Sequence, residues 1–191
     1  MTNSGTRPRE GKRERLVAAA RHALHRQGVE KTTLADIATA ADVPVGNVYY
    51  YFKTKDDLVE AAIDSQMKDI EELLQSLDAL RTPQARLKGL ITRLGGEAEL
   101  VARYGCPIGS LCSELDKRDD GVERTSARLL GLPIAWLEQQ FRAMRGRDAR
   151  ELAIALMSAY EGAALLSNTF RDPKIMLGEC RRLERWIDSL A

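Results

Sequence analysis

An all-helical chain in two parts is predicted by three features of this 191-residue sequence. Glycine and proline are sparse, at 14 and 6 residues, and no alternation of apolar and polar residues persists long enough for a strand. From about residue 12 onward, apolar residues instead recur every three or four positions, the helical period. Charge is also divided unevenly. Residues 1–55 hold ten Lys and Arg against five acids, net +5, while the remaining 136 residues hold 19 bases against 23 acids, net −4. A basic head on an acidic body points to a polyanion-binding module joined to a part with another task.

The elements follow in order. The first helix spans 12–27, with Leu16, Val17, Ala20 and Leu24 on one face and Gly28 as its stop. Thr32 and Thr33 offer hydroxyl caps to a short helix over 34–41. Asp42, Val43 and Pro44 break the chain before a third helix over 45–52, which carries Tyr49, Tyr50 and Tyr51. Thr54 with Asp57 resembles a capping box and opens a long helix over 55–77. Thr82 and Pro83 begin the next, to about Tyr104. Gly105 ends it, and Pro107 begins a short one to Leu115. A polar loop over 117–121 precedes a helix over 122–144, with Pro133 inside it. Gly146 separates this from a helix over 149–170, and the last spans 173–190. The fold class is therefore all-α with about nine helices. A three-helix N-terminal domain occupies 10–55, and a larger helical domain occupies 56–191.

Several function classes are disfavoured. Uncharged apolar runs such as 162–170 are far too short to cross a bilayer, so no membrane partner is expected. The N-terminal stretch lacks the apolar core of a signal peptide. Three cysteines make an odd number, which argues against a disulfide framework and for a reducing cytoplasm. The two histidines, His22 and His25, lie far in sequence from any cysteine pair, so no metal site is expected. There is no glycine-rich phosphate loop, no His-Glu-x-x-His pattern and no Gly-x-Ser-x-Gly elbow. The expectation is a protein that is not an enzyme and needs no cofactor.

Two short helices joined by a tight turn inside a basic three-helix head have the layout of a helix-turn-helix, with the motif at about 33–52. Val45, Gly46 and Asn47 at the start of the second helix are small or polar, which suits close approach to the major-groove floor. Asn47 is suited to pairing with an adenine edge. The tyrosine hydroxyls and Lys55 suit phosphates, which position a protein without specifying sequence. The basic arm of Arg7, Arg9, Lys12 and Arg13 could add further contacts or simply be solvated. One such module reads few bases, so specificity calls for two copies on a palindromic duplex and hence a homodimer. The helices over 149–170, rich in small residues, and 173–190, with Ile175, Met176, Leu183, Trp186, Ile187 and Leu190, suit a four-helix interface. The same stripes could also fill the monomer core.

The stretch Thr32-Thr33-Leu34-x-x-Ile37-Ala38-x-x-Ala41-x-Val43-x-x-Gly46-x-Val48-Tyr49-Tyr50-x-Phe52-x-x-Lys55-x-x-Leu58 resembles the N-terminal domain of TetR-family transcriptional regulators. The resemblance implies a ligand-responsive homodimer, most often a repressor, with a double-stranded DNA operator and a small-molecule effector as partners. It implies phosphate contacts from Thr33, Tyr50 and Lys55, and base contacts from Val45, Gly46, Asn47 and Tyr49. Tyr51 stands where such proteins often carry His. Ala35 stands where some carry a base-reading side chain. The resemblance also implies the same dimer interface, and an effector pocket among the helices of the body. Candidate pocket residues are Leu90, Leu94, Tyr104, Cys106, Leu111, Trp136, Phe141, Tyr160 and Phe170.

The segment Gly105-Cys106-Pro107-Ile108-Gly109 resembles one found in a TetR subgroup, some of whose members sense reactive species through a cysteine. With Pro107 at the first helical position, Cys106 becomes the cap residue, where the helix dipole would lower the thiol pKa. The alternative is a small buried hydrophobe. Two other classes stand against the regulator reading: an enzyme, and an architectural binder with no sequence preference.

Overall fold

The computed structural model describes residues 11–117, 123–145 and 147–190. The expected contacts of Arg7 and Arg9, most of the expected polar loop over 117–121 and the break at Gly146 lie outside the described residues. Ten helices are present among the described residues: α1 (Lys12–Lys31), α2 (Leu34–Ala40), α3 (Val45–Tyr51), α4 (Lys55–Asp78), α5 (Pro83–Gly95), α6 (Ala98–Tyr104), α7 (Pro107–Leu115), α8 (Glu123–Arg145), α9 (Ala149–Phe170) and α10 (Pro173–Ser189). The chain divides into two compact units, one through Ser65 and one from Gln66 onward, so the division falls inside α4.

In the first unit, α1 packs on α2 and α2 on α3. Leu16, Ala20, Ile37, Ala38, Val48, Leu58 and Ile63 are buried at its centre. Gly28 has φ 81° and interrupts the helical path of α1, so the regular helix ends where the glycine predicts, although a further turn follows. Thr32 closes that turn, its buried hydroxyl donating to the Gly28 carbonyl at 2.6 Å. The turn between α2 and α3 passes through Asp42 at φ 52°, a left-handed conformation that Asp tolerates better than most residues. The Arg15 guanidinium holds this turn from α1, donating to the carbonyls of Ala41 at 2.9 Å and Asp42 at 3.3 Å.

In the second unit, α8 packs on α9, α9 on α10 and α6, and α10 on α5. The fully buried side chains include Leu87, Ile91, Leu115, Leu129, Leu137, Phe141, Leu156 and Met176. Phe141 meets Trp186 with ring centroids 5.8 Å apart. The Trp136 indole N–H donates to Asp78 at 3.0 Å and so ties the end of α4 to α8. Lys88 and Asp188 pair at 2.9 Å between α5 and α10.

The single helix expected over 82–104 is two. Gly95 and Gly96 occupy the break, and the N–H groups of Gly96 and Glu97 turn back to Thr92 and Leu94 at 3.1 and 3.2 Å. Glycine is about 1 kcal/mol poorer than alanine in a helix interior, and two in succession favour the turn. On α10, Met176, Leu183 and Ile187 are buried within their own chain, as one of the two alternatives for this stripe has it, while Leu177 of the same helix is exposed. The uncovered apolar face lies mainly on α9, where Ile154, Leu165, Leu166 and Phe170 are exposed. Gly162 lies on the same stripe, and a Cβ added there would meet nothing within 4 Å.

Candidate DNA interface and body cluster

The head presents α3 through local chemistry. Thr33 is the N-cap of α2: its hydroxyl accepts from the Asp36 N–H at 3.1 Å and donates to the Asp36 carboxylate at 2.7 Å. These bonds hold the Asp36 carboxyl below its ordinary pKa. Thr33→Ala is expected to lower the head's stability by about 1 kcal/mol, read as a lower urea midpoint with an unchanged slope.

At the other end of the motif, Lys53 donates to the Tyr49 carbonyl at 3.0 Å and so binds one of the last carbonyls of α3. Asp57 accepts from the N–H groups of Lys53 and Thr54, each at 3.0 Å, and opens α4. These contacts hold its carboxyl below its ordinary value. Lys55 reaches back to the Glu30 carbonyl at 3.4 Å.

On α3, Val48 is buried and fixes the helix to the core, while Val45, Gly46, Tyr49 and Tyr50 face outward. Tyr49 is 52% exposed and Tyr50 79%. Asn47 and Tyr51 are half-buried, and the Tyr51 ring meets Tyr50 edge-on at 5.0 Å. A Cβ added at Gly46 would meet nothing within 4 Å, so the chain's own packing does not require a glycine there. Thr33 and Lys55 are also on the head, exposed and half-buried respectively. The roles of Arg15, which clamps the turn, and Lys53, which caps α3, were not anticipated. Their basic charge in the head was the available signal.

In the body, Leu90, Cys106, Trp136, Phe141 and Tyr160 are buried, and Leu94, Tyr104 and Leu111 are half-buried. Phe170 departs from the expected pocket lining. It ends α9 at 67% exposure, on the uncovered apolar face. Cys106 does cap α7, its sulfur accepting from the Gly109 N–H at 3.4 Å. The expected fall in its pKa is reversed. The thiol is 5% exposed and donates to the Glu161 carboxylate at 3.2 Å. Burial, and then the negative charge of Glu161, push it up to about 12. Burial likewise raises Glu161. It raises Cys112 to about 11, with help from Asp116 and Glu161, and it raises Tyr160. All three cysteines are buried, and none of them forms a disulfide. Glu161 was missed by the sequence reading, although it is the one acid in the long stretch between Glu151 and Asp172.

Among the described residues, no group of three or more His, Cys, Asp or Glu side chains stands close enough to hold a metal ion. No described helix is long and apolar enough to cross a membrane.

Comparison with known proteins gives two family matches. Residues 16–62 match the model of bacterial regulatory proteins of the tetR family. Residues 83–178 match the C-terminal domain of LmrA/YxaF-like transcriptional regulators. The chain is 32% identical over 164 residues to the transcriptional regulator AcuR of Cereibacter sphaeroides, covering 78% of this chain and 73% of that one. It is 28% identical over 188 residues to the regulator TtgR of Pseudomonas putida, covering 93% and 88%. The crystal structure of a regulatory protein TetR from Rhodobacter sphaeroides superposes with a TM-score of 0.78 at 27% identity, over 90% of this chain and 96% of that one.

Proposed function

The chain belongs to the TetR family of DNA-binding transcriptional regulators, and from that premise we propose that it is a homodimeric repressor, released from a palindromic operator by a small-molecule or electrophilic effector. The observation that carries this reading is the surface of α3. Val45, Tyr49 and Tyr50 are exposed beside Gly46, which faces open space. A bare backbone flanked by aromatic hydroxyls suits a groove floor with phosphates on either side.

In this reading residues 10–55 bind DNA and 56–191 bind effector and dimerise, in the cytoplasm. Val45, Gly46, Asn47 and Tyr49 meet bases, and Thr33, Tyr50, Tyr51 and Lys55 meet the backbone. The uncovered face of α9 supports the dimer. Two copies then place their α3 helices about one duplex turn apart, roughly 34 Å. An effector that prefers the non-binding arrangement by a few kcal/mol empties the operator. Leu90, Leu94, Tyr104, Cys106, Leu111, Trp136, Phe141 and Tyr160 are the residues through which the body would sense it. The Gly105–Gly109 segment supports membership of the subgroup that carries it.

The test is selection of bound duplexes from a random library at fixed, near-physiological salt. A palindromic consensus is expected, and recovery of no preferred sequence overturns the reading in favour of an architectural binder. On the selected site, Asn47→Ala is expected to cost about 1–3 kcal/mol and to relax preference at one base pair per half-site. Lys55→Ala should weaken all sequences alike and flatten the salt dependence. Titration of both variants against the site and its single-base changes separates the two effects.

A further inference from the structure

Seven residues make α3 too short to hold its shape alone, and Val48 is the one residue of the seven that is buried. The direction of the helix therefore depends on how its two ends are tied. At the C-terminal end, Lys53 donates to the Tyr49 carbonyl at 3.0 Å, and the buried Phe52 lies under the Arg13 guanidinium, 5.3 Å from the ring centre. The N-terminal end is tied through the turn that precedes it. The N–H groups of Asp42 and Val43 return to the carbonyls of Thr39 and Ala38 at 3.2 and 3.0 Å, so α2 satisfies the donors of the turn. Its acceptors are left to α1. Among the described residues no backbone N–H donates to the carbonyls of Ala41 and Asp42. Both accept instead from Nη1 of Arg15, at 2.9 and 3.3 Å. Asp42 holds φ 52°, a conformation that costs energy for a residue with a Cβ. Its carboxylate is fully exposed at 3.7 Å from Arg15, so the ion pair adds little to the two carbonyl bonds.

We propose that Arg15 is a positioning residue for sequence readout: it acts through the turn to set the start of α3 against the bases and does not itself touch DNA. This rests on the reading that Val45, Gly46 and Asn47 meet base edges. Those residues follow Asp42 within five positions, so a change of the turn displaces them directly. Hydrogen bonds to base edges weaken steeply with distance and angle. Attraction between a lysine and a phosphate falls off only gradually with separation. A slackened turn therefore costs the preferred sequence much more than it costs DNA in general.

The experiment titrates full-length protein against the duplex it selects and against a scrambled duplex of the same composition, each over a range of salt concentrations. Arg15→Ala is expected to weaken the selected site at least tenfold and the scrambled duplex less than threefold, with the salt slope unchanged. The lost preference should gather at the base pairs where Asn47→Ala relaxes it. Arg15→Lys keeps the charge, but its ammonium ends one bond short of the position of Nη1. It is expected to lose the preference as well, and it supplies a second reading if the alanine variant does not fold. A phosphate contact predicts instead that both duplexes weaken together, that the slope falls by about one per half-site and that lysine restores binding. That result overturns the positioning role. Equal weakening of both duplexes at an unchanged slope reduces Arg15 to a support of the head's folding and overturns it too. Unchanged binding means that the turn holds without the clamp. Each of these results leaves base reading by α3 in place, whereas an unmodified protein that selects no sequence overturns that reading and the positioning role with it.

Discussion

In the proposed dimer, replacing Leu165 and Phe170 together with glutamate is expected to leave monomers and to weaken operator binding by at least a hundredfold. Both residues are 67% exposed on α9, with Ile154 and Leu166 exposed beside them. Pairing this face with a second copy would bury four introduced carboxylates per dimer without partners. Unpaired buried charge is strongly destabilising, so a loss of roughly 4 kcal/mol or more is expected, about a thousandfold in the dimer dissociation constant. A monomer engages one half-site and loses the contacts of the other. Because neither residue supports its own chain's core, the far-UV circular dichroism spectrum should not change. Sedimentation velocity checks the assembly and operator titration checks the function. A double variant that remains dimeric would place the interface elsewhere on the body.

Phe141→Ala is expected to be the most damaging single change to stability. The ring is fully buried and lies against Trp186. Large aromatic-to-alanine changes in cores cost about 3–5 kcal/mol, from lost transfer energy and the cavity left behind. That is a fifth or more of the total stability of a typical domain. Urea unfolding followed by circular dichroism should show a lower midpoint for the body. A shift no larger than that of an exposed substitution would mean that the site collapses around the missing ring.

The head was legible because its signals are local. Gly28, Thr33, Pro44 and the Thr54–Asp57 box each act within a few residues of where they stand, and the observed helices end or begin on them. The body was legible as helices but less so as surfaces. Along α9 apolar and small residues occur on every side, so periodicity could not separate Leu156, which is buried, from Phe170, which is not. The apolar stripe of α10 was correctly placed on one face, but whether that face meets its own chain or another depends on how α5 and α9 lie. The break at Gly95–Gly96 was hidden because the apolar pattern runs on through it. At Cys106 the local inference was sound in kind: it is a cap, and it accepts an N–H. Of the two alternatives at this position the buried thiol holds, because burial and a carboxylate distant in sequence outweigh the dipole of a nine-residue helix.

The two tryptophans, Trp136 and Trp186, both belong to the body, and the head contains none. Excitation at the red edge of indole absorption therefore sees one half of the protein alone. The two indoles are also unlike each other: one is hydrogen-bonded to Asp78 at the end of the long fourth helix, and the other packs against Phe141 in the core. Emission from the first senses any parting of that helix end from α8, and emission from the second senses loosening of the interior. The unlabelled protein thus carries an optical gauge of its body, one that can be read in the presence of DNA.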